Sequence, residues 1–173
     1  SAEKAKKAFA GTEILGKKLG VIGLGAIGQK LANAAVSLGM EVYGYDPYLS
    51  LQNAWNLSHH INRASDINEI FENCDYISLH IPLTKDTKDT VNAAALAKMK
   101  DGVRILNFAR GALINNAHME AALEEGKVAC YVTDFPNDAL VGRDNVVLLP
   151  HLGASTAEAE DNCASMAVEQ IMD

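Results

Sequence analysis

Basic residues are in short supply in this chain. Fifteen lysines and arginines face twenty-two aspartates and glutamates over 173 residues, a formal net charge of −7. Nucleic acid and anionic bilayers draw their partners through basic surface, so the balance argues against either as the main partner. Long apolar runs are also missing; none approaches the roughly 18 residues of a membrane span. The segment Ser1–Phe9 carries Lys4, Lys6 and Lys7 with no apolar stretch behind them, and does not read as a signal peptide. Cysteine is sparse. Cys74, Cys130 and Cys163 stand far apart, are odd in number and form no C-x-x-C pair. That pattern suggests neither a disulfide framework nor a zinc site. No metal is expected, the thiols read as core packing, and a reducing, cytoplasmic setting is the simplest one.

What the chain does have is enough apolar residue, 49%, to build a sizeable core. Its length suits one domain, or one domain with an extension. Strand-like runs at Lys18–Ile22, Glu41–Tyr45, His60–Arg63, Tyr76–His80, Arg104–Phe108, Ala129–Thr133 and Val146–Leu149 alternate with helix-like stretches. The helices are expected at Ala26–Leu38, Ile67–Asn73, Ala93–Met99, Asn116–Glu125 and from about Thr156 to the end. Capping boxes are read at Asp66 with Glu69 and at Ser155 with Glu158, and a C′ glycine at Gly39. The strands are nearly continuous apolar runs, as strands buried on both faces are. The expected fold is therefore α/β: a Rossmann-type, doubly wound parallel sheet of about seven strands with helices on both faces.

The first strand ends in Gly23-Leu24-Gly25-Ala26-Ile27-Gly28, a G-x-G-x-x-G, and a helix follows at once. Gly23 permits the tight turn, Gly25 the approach of a pyrophosphate, and Gly28 close packing of helix on strand. The helix N-terminus offers free N–H groups to the phosphates, those of Ala26 and Ile27 foremost. The second strand ends in Asp46, about 20 residues on, where a carboxylate meets the adenosine ribose hydroxyls. A carboxylate would repel a 2′-phosphate, so NAD is favoured over NADP. In such a sheet ligands lie at the carboxyl ends of strands. The polar clusters fall there: His80 to Thr84, Asn107 to Gly111, Thr133-Asp134, and His151 to Thr156.

Taken in order, Gly11 to Lys17, the glycine turn, Leu79 to Thr84, Asn107 to Gly111, Val132 to Asn137 and Pro150 to Thr156 resemble the nucleotide-binding domain of the D-2-hydroxyacid dehydrogenases. The likeness runs over essentially the whole chain. It implies hydride transfer between a small-molecule 2-hydroxy acid and nicotinamide. The phosphorylated acid is the leading candidate, with glycerate, hydroxypyruvate and lactate types as alternatives. It implies that His151 exchanges the hydroxyl proton, work suited to a group that changes charge near neutral pH. Arg110 resembles the arginine that grips the substrate carboxylate. The family's histidine leans on a glutamate; Asp138 stands nearest that place, one methylene shorter.

The resemblance further implies that Ile81 and Pro82 line an adenine slot, with Thr87 beside it. Phe108, Ala109, Arg110, Asp134 and His151 would fix the nicotinamide, and Gly153 and Ala154 would close over it. Many relatives carry arginine where Ala26 stands. Residues 1–173 are read as an excised NAD-binding domain whose substrate-binding domain is absent, with Ser1 and Ala2 left from a tag. A homodimer through the nucleotide domain is implied likewise. The other class open to the residues is a non-catalytic, NAD-sensing, co-repressor-like protein. Away from the motifs, His59-His60 reads as a surface pair, His118 as solvent-facing, His80 as support for the adenine loop, Trp55 as packing, and Glu120 to Glu125 as a solvated helix face.

Overall fold

The apolar runs become strands and the stretches between them become helices. The computed structural model describes residues 11–172; the segment Ser1–Phe9 with its two suggested tag residues lies outside the described residues. Seven strands form one sheet: β1 (Lys18–Ile22), β2 (Glu41–Tyr45), β3 (Asn62–Arg63), β4 (Tyr76–Leu79), β5 (Val103–Asn107), β6 (Val128–Thr133) and β7 (Val146–Leu148). Their order is β3-β2-β1-β4-β5-β6-β7, and every pair is parallel. The chain winds outward from β1 to β3, returns to the centre at β4 and winds outward the other way. The doubly wound sheet is thus as expected, with its switch point between β1 and β4.

The helices are α1 (Ala26–Ser37), α2 (Leu51–Trp55), α3 (Ile67–Asn73), α4 (Ala93–Lys98), α5 (Asn116–Glu124) and α6 (Ala157–Met172). Successive residues of β1 supply opposite faces. Leu19 and Val21 join Val42 and the α1 residues Ala32 and Ala35 in one apolar cluster. Ile22 joins Ile70 and Phe71 of α3, Leu96 of α4 and Met119 of α5 in a larger one. Each large aliphatic side chain buried in this way is worth about 1.5–3 kcal/mol. Surface ion pairs gather at the amino ends of the strands: Lys18 with Glu41, Lys100 with Asp75, Lys127 with Asp101, and Arg143 with Glu124. The carboxyl edge is left for a site.

Several expectations are corrected by local structure. The strand expected at His60–Arg63 is only Asn62–Arg63, because Ser58 accepts from the N–H of Ile61 and, through its hydroxyl, from that of His60. These bonds spend on a turn the groups that a ladder would need. Helix α2 was not expected; Ser50 caps it by accepting from the Asn53 N–H at 3.1 Å. Trp55 ends this five-residue helix, none of whose residues is buried, and stands 81% exposed rather than packed. At α3, Asp66 does cap, by accepting from the Asn68 N–H, but Glu69 bonds the Ser65 hydroxyl and closes no box. At α6 the cap is Thr156, accepting from the Ala159 N–H at 3.1 Å, in place of Ser155. Among the described residues no helix is long and apolar enough to cross a membrane.

Candidate active site

The glycine turn shows why two of its glycines are needed for folding. Gly23 adopts φ +94° and donates its N–H to Tyr45 O at 2.8 Å. A Cβ on Gly28 would fall 1.9 Å from Gly23 O, so any side chain there would push α1 off β1. Gly25 is different. Its φ is −70° and nothing lies within 4 Å of the place its Cβ would take. Neither conformation nor internal packing calls for glycine here; the cleared space lies before the N-terminus of α1. No side chain caps α1 and no acid stands in its first turn, so the Ala26 and Ile27 amides keep their capacity for an anion. Ile27 is 70% exposed beside them.

Asp46 ties the end of β2 to this turn. Its Oδ2 accepts from the Leu24 N–H and its Oδ1 from the Tyr48 N–H, both at 2.9 Å. A carboxylate oxygen has room for a second donor, so these bonds fix Asp46 without closing it to a ribose hydroxyl. It borders a cavity of about 580 Å³ together with Leu24, Pro47, Ile61, Arg63 and Ser65.

Across the switch point, His80 bonds the Ser78 hydroxyl through Nε2 at 2.8 Å. Burial holds the imidazole's pKa below its ordinary value, so it sits neutral behind the glycine turn, whose Gly23 lies against His80 O. The bond to Ser78 ties the imidazole back to β4, just before the loop that carries Ile81 and Pro82. Ile81 is half-buried and Pro82 exposed. Thr87 donates its hydroxyl to Pro82 O at 2.6 Å and accepts from the Thr84 N–H at 2.7 Å. Its polar capacity thus goes to shaping the loop that carries Ile81 and Pro82. His118 is exposed, yet it is not merely solvated: its Nδ1 accepts from the Ala93 N–H and joins α5 to α4.

The loop after β5 hangs on a residue that the motif reading included without a role. Asn107 is fully buried, donates from Nδ2 to Arg110 O at 3.0 Å and accepts at Oδ1 from the Ala109 N–H. The buried Thr133 hydroxyl donates to Asn107 O and accepts from the Phe135 N–H. One network therefore sets the loop bearing Phe108, Ala109 and Arg110 and the loop bearing Asp134. Two buried polar residues facing each other at strand ends were the available signal. Arg110 is exposed, with Nη1 donating to Ala109 O at 2.6 Å. Phe108 is 37% exposed.

His151 arrives beside this network by strand register. Thr133 is paired with Leu148, and the Leu149 N–H donates to Thr133 O, which brings Leu149 beside Asp134; His151 follows two residues on, in the turn after β7, within reach of that acid. Its Nδ1 stands 3.0 Å from Asp134 Oδ2, and its ring lies 5.0 Å from that of Phe135. The structure pairs His151 with Asp134, not with Asp138. By Asp138 the chain has entered a turn in which Asn137 accepts from the Leu140 N–H; Leu140 is buried and Asp138 is left in solvent. Asp134 Oδ1 is buried and has no hydrogen-bond partner among the described residues. A buried acceptor without a donor, a cleared space before a helix N-terminus and a carboxylate at the end of β2 fit a dinucleotide with a carboxamide at one end. Gly153 and Ala154 lie exposed in the turn after His151, outside this cluster. The rings of His59 and His60 lie 3.9 Å apart, tilted by 41°, on the surface, and no group of three metal-ligating side chains occurs among the described residues.

Residues 1–153 match the family described as D-isomer specific 2-hydroxyacid dehydrogenase, NAD binding domain. The chain is 41% identical over 172 residues to a D-3-phosphoglycerate dehydrogenase of Methanocaldococcus jannaschii, an alignment that takes in 96% of this chain and 32% of that protein. It is 41% identical over 175 residues to a hydroxypyruvate reductase of Thermotoga maritima, covering 96% of this chain and 55% of the relative. Among solved structures it resembles a glyoxylate reductase from Paecilomyes thermophila, with a TM-score of 0.84 at 30% identity over 98% of this chain and 55% of that one. The chain spans about a third of the length of the phosphoglycerate dehydrogenases it matches.

Proposed function

The chain belongs to the D-isomer specific 2-hydroxyacid dehydrogenases as their NAD-binding domain, and from that premise we propose that it serves a longer enzyme oxidising D-3-phosphoglycerate at C2, a step that supplies serine synthesis. The names of the relatives support this substrate, with hydroxypyruvate as the second reading because of the Thermotoga relative. A substrate-binding domain outside this chain would complete the cleft, and the chain alone would turn over little. Pairing of two nucleotide domains in a homodimer and a cytoplasmic setting belong to the same proposal.

The observation that carries it is the His151–Asp134 pair at the carboxyl edge of the sheet, on the same edge as the glycine turn. A bound NAD would supply the hydride acceptor for C2. Gly25 leaves room where its pyrophosphate would lie, the Ala26 and Ile27 amides would hold its phosphates, Asp46 would take its ribose hydroxyls, and Asp134 Oδ1 would accept from its carboxamide. Ile81 and Pro82 would flank its adenine, while Phe108 and Ala109 would border its nicotinamide end. With Nδ1 engaged by Asp134, His151 keeps Nε2 for substrate. As the C2 carbonyl forms, the hydroxyl proton passes to Nε2, and in reduction the same atom returns it. Arg110 leaves Ala109 O and holds the substrate carboxylate with two parallel N–H donors. Neutral His80 and the Thr84–Thr87 turn keep the loop on the far side of the glycine turn in shape.

Calorimetric titration of the chain with NADH and with NADPH tests the cofactor half. Saturable NADH binding with NADPH at least about tenfold weaker, a gap of about 1.4 kcal/mol, is expected; equal binding removes the role given to Asp46. In the full-length parent, His151→Ala should lower kcat with 3-phosphoglycerate by a factor of at least about 100. An unchanged kcat takes the proton transfer away from His151.

A further inference from the structure

We propose that Asp134, and not the loop acid Asp138, is the positioning acid of His151, and that its other oxygen, by receiving the cofactor carboxamide, couples cofactor binding to the orientation of that histidine. The inference rests on the NAD reading above and deepens it. Its basis is the division of labour on a single carboxylate. Oδ2 faces His151 Nδ1 at 3.0 Å, while Oδ1 is buried with no donor among the described residues. The Asp134 side chain is 12% exposed and the imidazole 60%. The acid is thus anchored in the protein, and the base it orients faces the cleft.

A carboxylate accepts and cannot donate, so of the two tautomers of a neutral imidazole it selects the one with its proton on Nδ1, which leaves the Nε2 lone pair for a substrate hydroxyl. Held through Oδ2 alone, the carboxylate can still turn about its terminal bond. A donor on Oδ1 fixes that rotation, and with it the direction in which Nε2 points. The carboxamide of a bound nicotinamide supplies such a donor, so the base is set once the cofactor is in place. Asp138 cannot share this task from its exposed turn. Phe135 bears on the arrangement from the other side: its ring lies near the imidazole, and its side chain packs where a Cβ on Gly111 would fall, 3.3 Å away.

The test uses the 173-residue chain with ¹⁵N-labelled histidine, His151 being assigned by the signal lost in His151→Gln. Long-range ¹H–¹⁵N spectra without cofactor should show His151 as the Nδ1–H tautomer in the unmutated chain and in Asp138→Asn. Asp134→Asn should shift it toward the Nε2–H form that free imidazole prefers. Calorimetry should then show NADH binding weakened about tenfold in Asp134→Asn and unchanged in Asp138→Asn. Thermal unfolding checks that each variant is folded. If Asp134→Asn is not, Asp134→Glu keeps the charge, and it should retain the Nδ1–H tautomer while still weakening NADH. A tautomer that follows Asp138 instead overturns the pairing. A tautomer that follows Asp134 with NADH affinity unchanged overturns the coupling. Failure of the unmutated chain to bind NADH overturns the cofactor reading itself, and the cofactor-free spectra tell that failure from a wrong pairing.

Discussion

Gly25 and Gly28 sit three residues apart in one turn and are needed for different things. A methyl on Gly28 meets Gly23 O at 1.9 Å, backbone against backbone, with no side chain able to yield. Gly28→Ala is expected to destabilise the chain by about 1–3 kcal/mol, read as a fall in the thermal midpoint of roughly 2–4 °C per kcal/mol. Gly25→Ala has open space around its methyl and an ordinary φ, so its midpoint should hold while NADH affinity falls. A large loss of stability in Gly25→Ala would mean that the space before α1 serves folding and not a ligand. The motif alone assigned these roles, because each follows from which atoms a Cβ approaches within one turn. The acid partner of His151 was not legible. Asp134 and Asp138 differ little in sequence distance from it, and only the path of the chain between them separates a buried acid from a solvated one.

Short elements were the hardest to read, and capping was read better than pairing. Asp66 caps α3 as expected, since an aspartate before a helix finds its own N2 amide without help from elsewhere. Glu69 was expected to complete the box but met the nearer Ser65 hydroxyl. Helix α2 and strand β3 are five and two residues long, too short for a hydrophobic period to show. One strained position lies between elements. Asp89 holds φ +53° while its N–H donates to Ala112 O, at the bend that leads into the bridge between Val91 and Ile114. The left-handed region costs an L residue about 1–2 kcal/mol, which glycine avoids at the expense of more freedom in the unfolded chain. Asp89→Gly should therefore raise stability by roughly 0.5–1 kcal/mol, with denaturant midpoint as the measure. A drop would show that the carboxylate, and not the backbone angle, matters at this bend.

The whole molecule divides its charge by edge. Ion pairs lie at the amino ends of the strands, and the carboxyl edge holds His151 with Asp134 and the open N-terminus of α1. On the amino edge Asp75 joins three strands: it accepts from the Lys18 N–H of β1, precedes β4 and binds Lys100 ahead of β5. Burial alone would raise its pKa, yet the Lys100 ammonium and the Lys18 N–H together hold it below the ordinary 3.8. A depressed carboxylate adds stability above its unfolded pKa and loses it as pH falls through the folded value. The advantage of the unmutated chain over Lys100→Gln should hold from neutral pH down to about 5 and shrink below about 4. Unfolding free energies of both across that range measure it; an advantage unchanged at pH 3 would show that Lys100 acts through packing. On the carboxyl edge, NADH at a hundred times its dissociation constant should add about 2.7 kcal/mol of stability.

The amino-acid sequence by itself determined the alternation of strand and helix, the parallel sheet, the glycine turn and the places where polar clusters follow strands. These depend on dihedral sterics and on periods of two and 3.6 residues, and act between neighbours along the chain. Tertiary structure decided which acid meets His151, that Asp134 keeps a buried oxygen free, that Asn107 and Thr133 hold two loops together, and that Trp55 faces solvent. The first three depend on the register of strands far apart in sequence, above all Thr133 against Leu148, and the last on the exposed helix α2. A shift of one residue between β6 and β7 would move the turn that carries His151 relative to Asp134 with no change in either strand's own pattern.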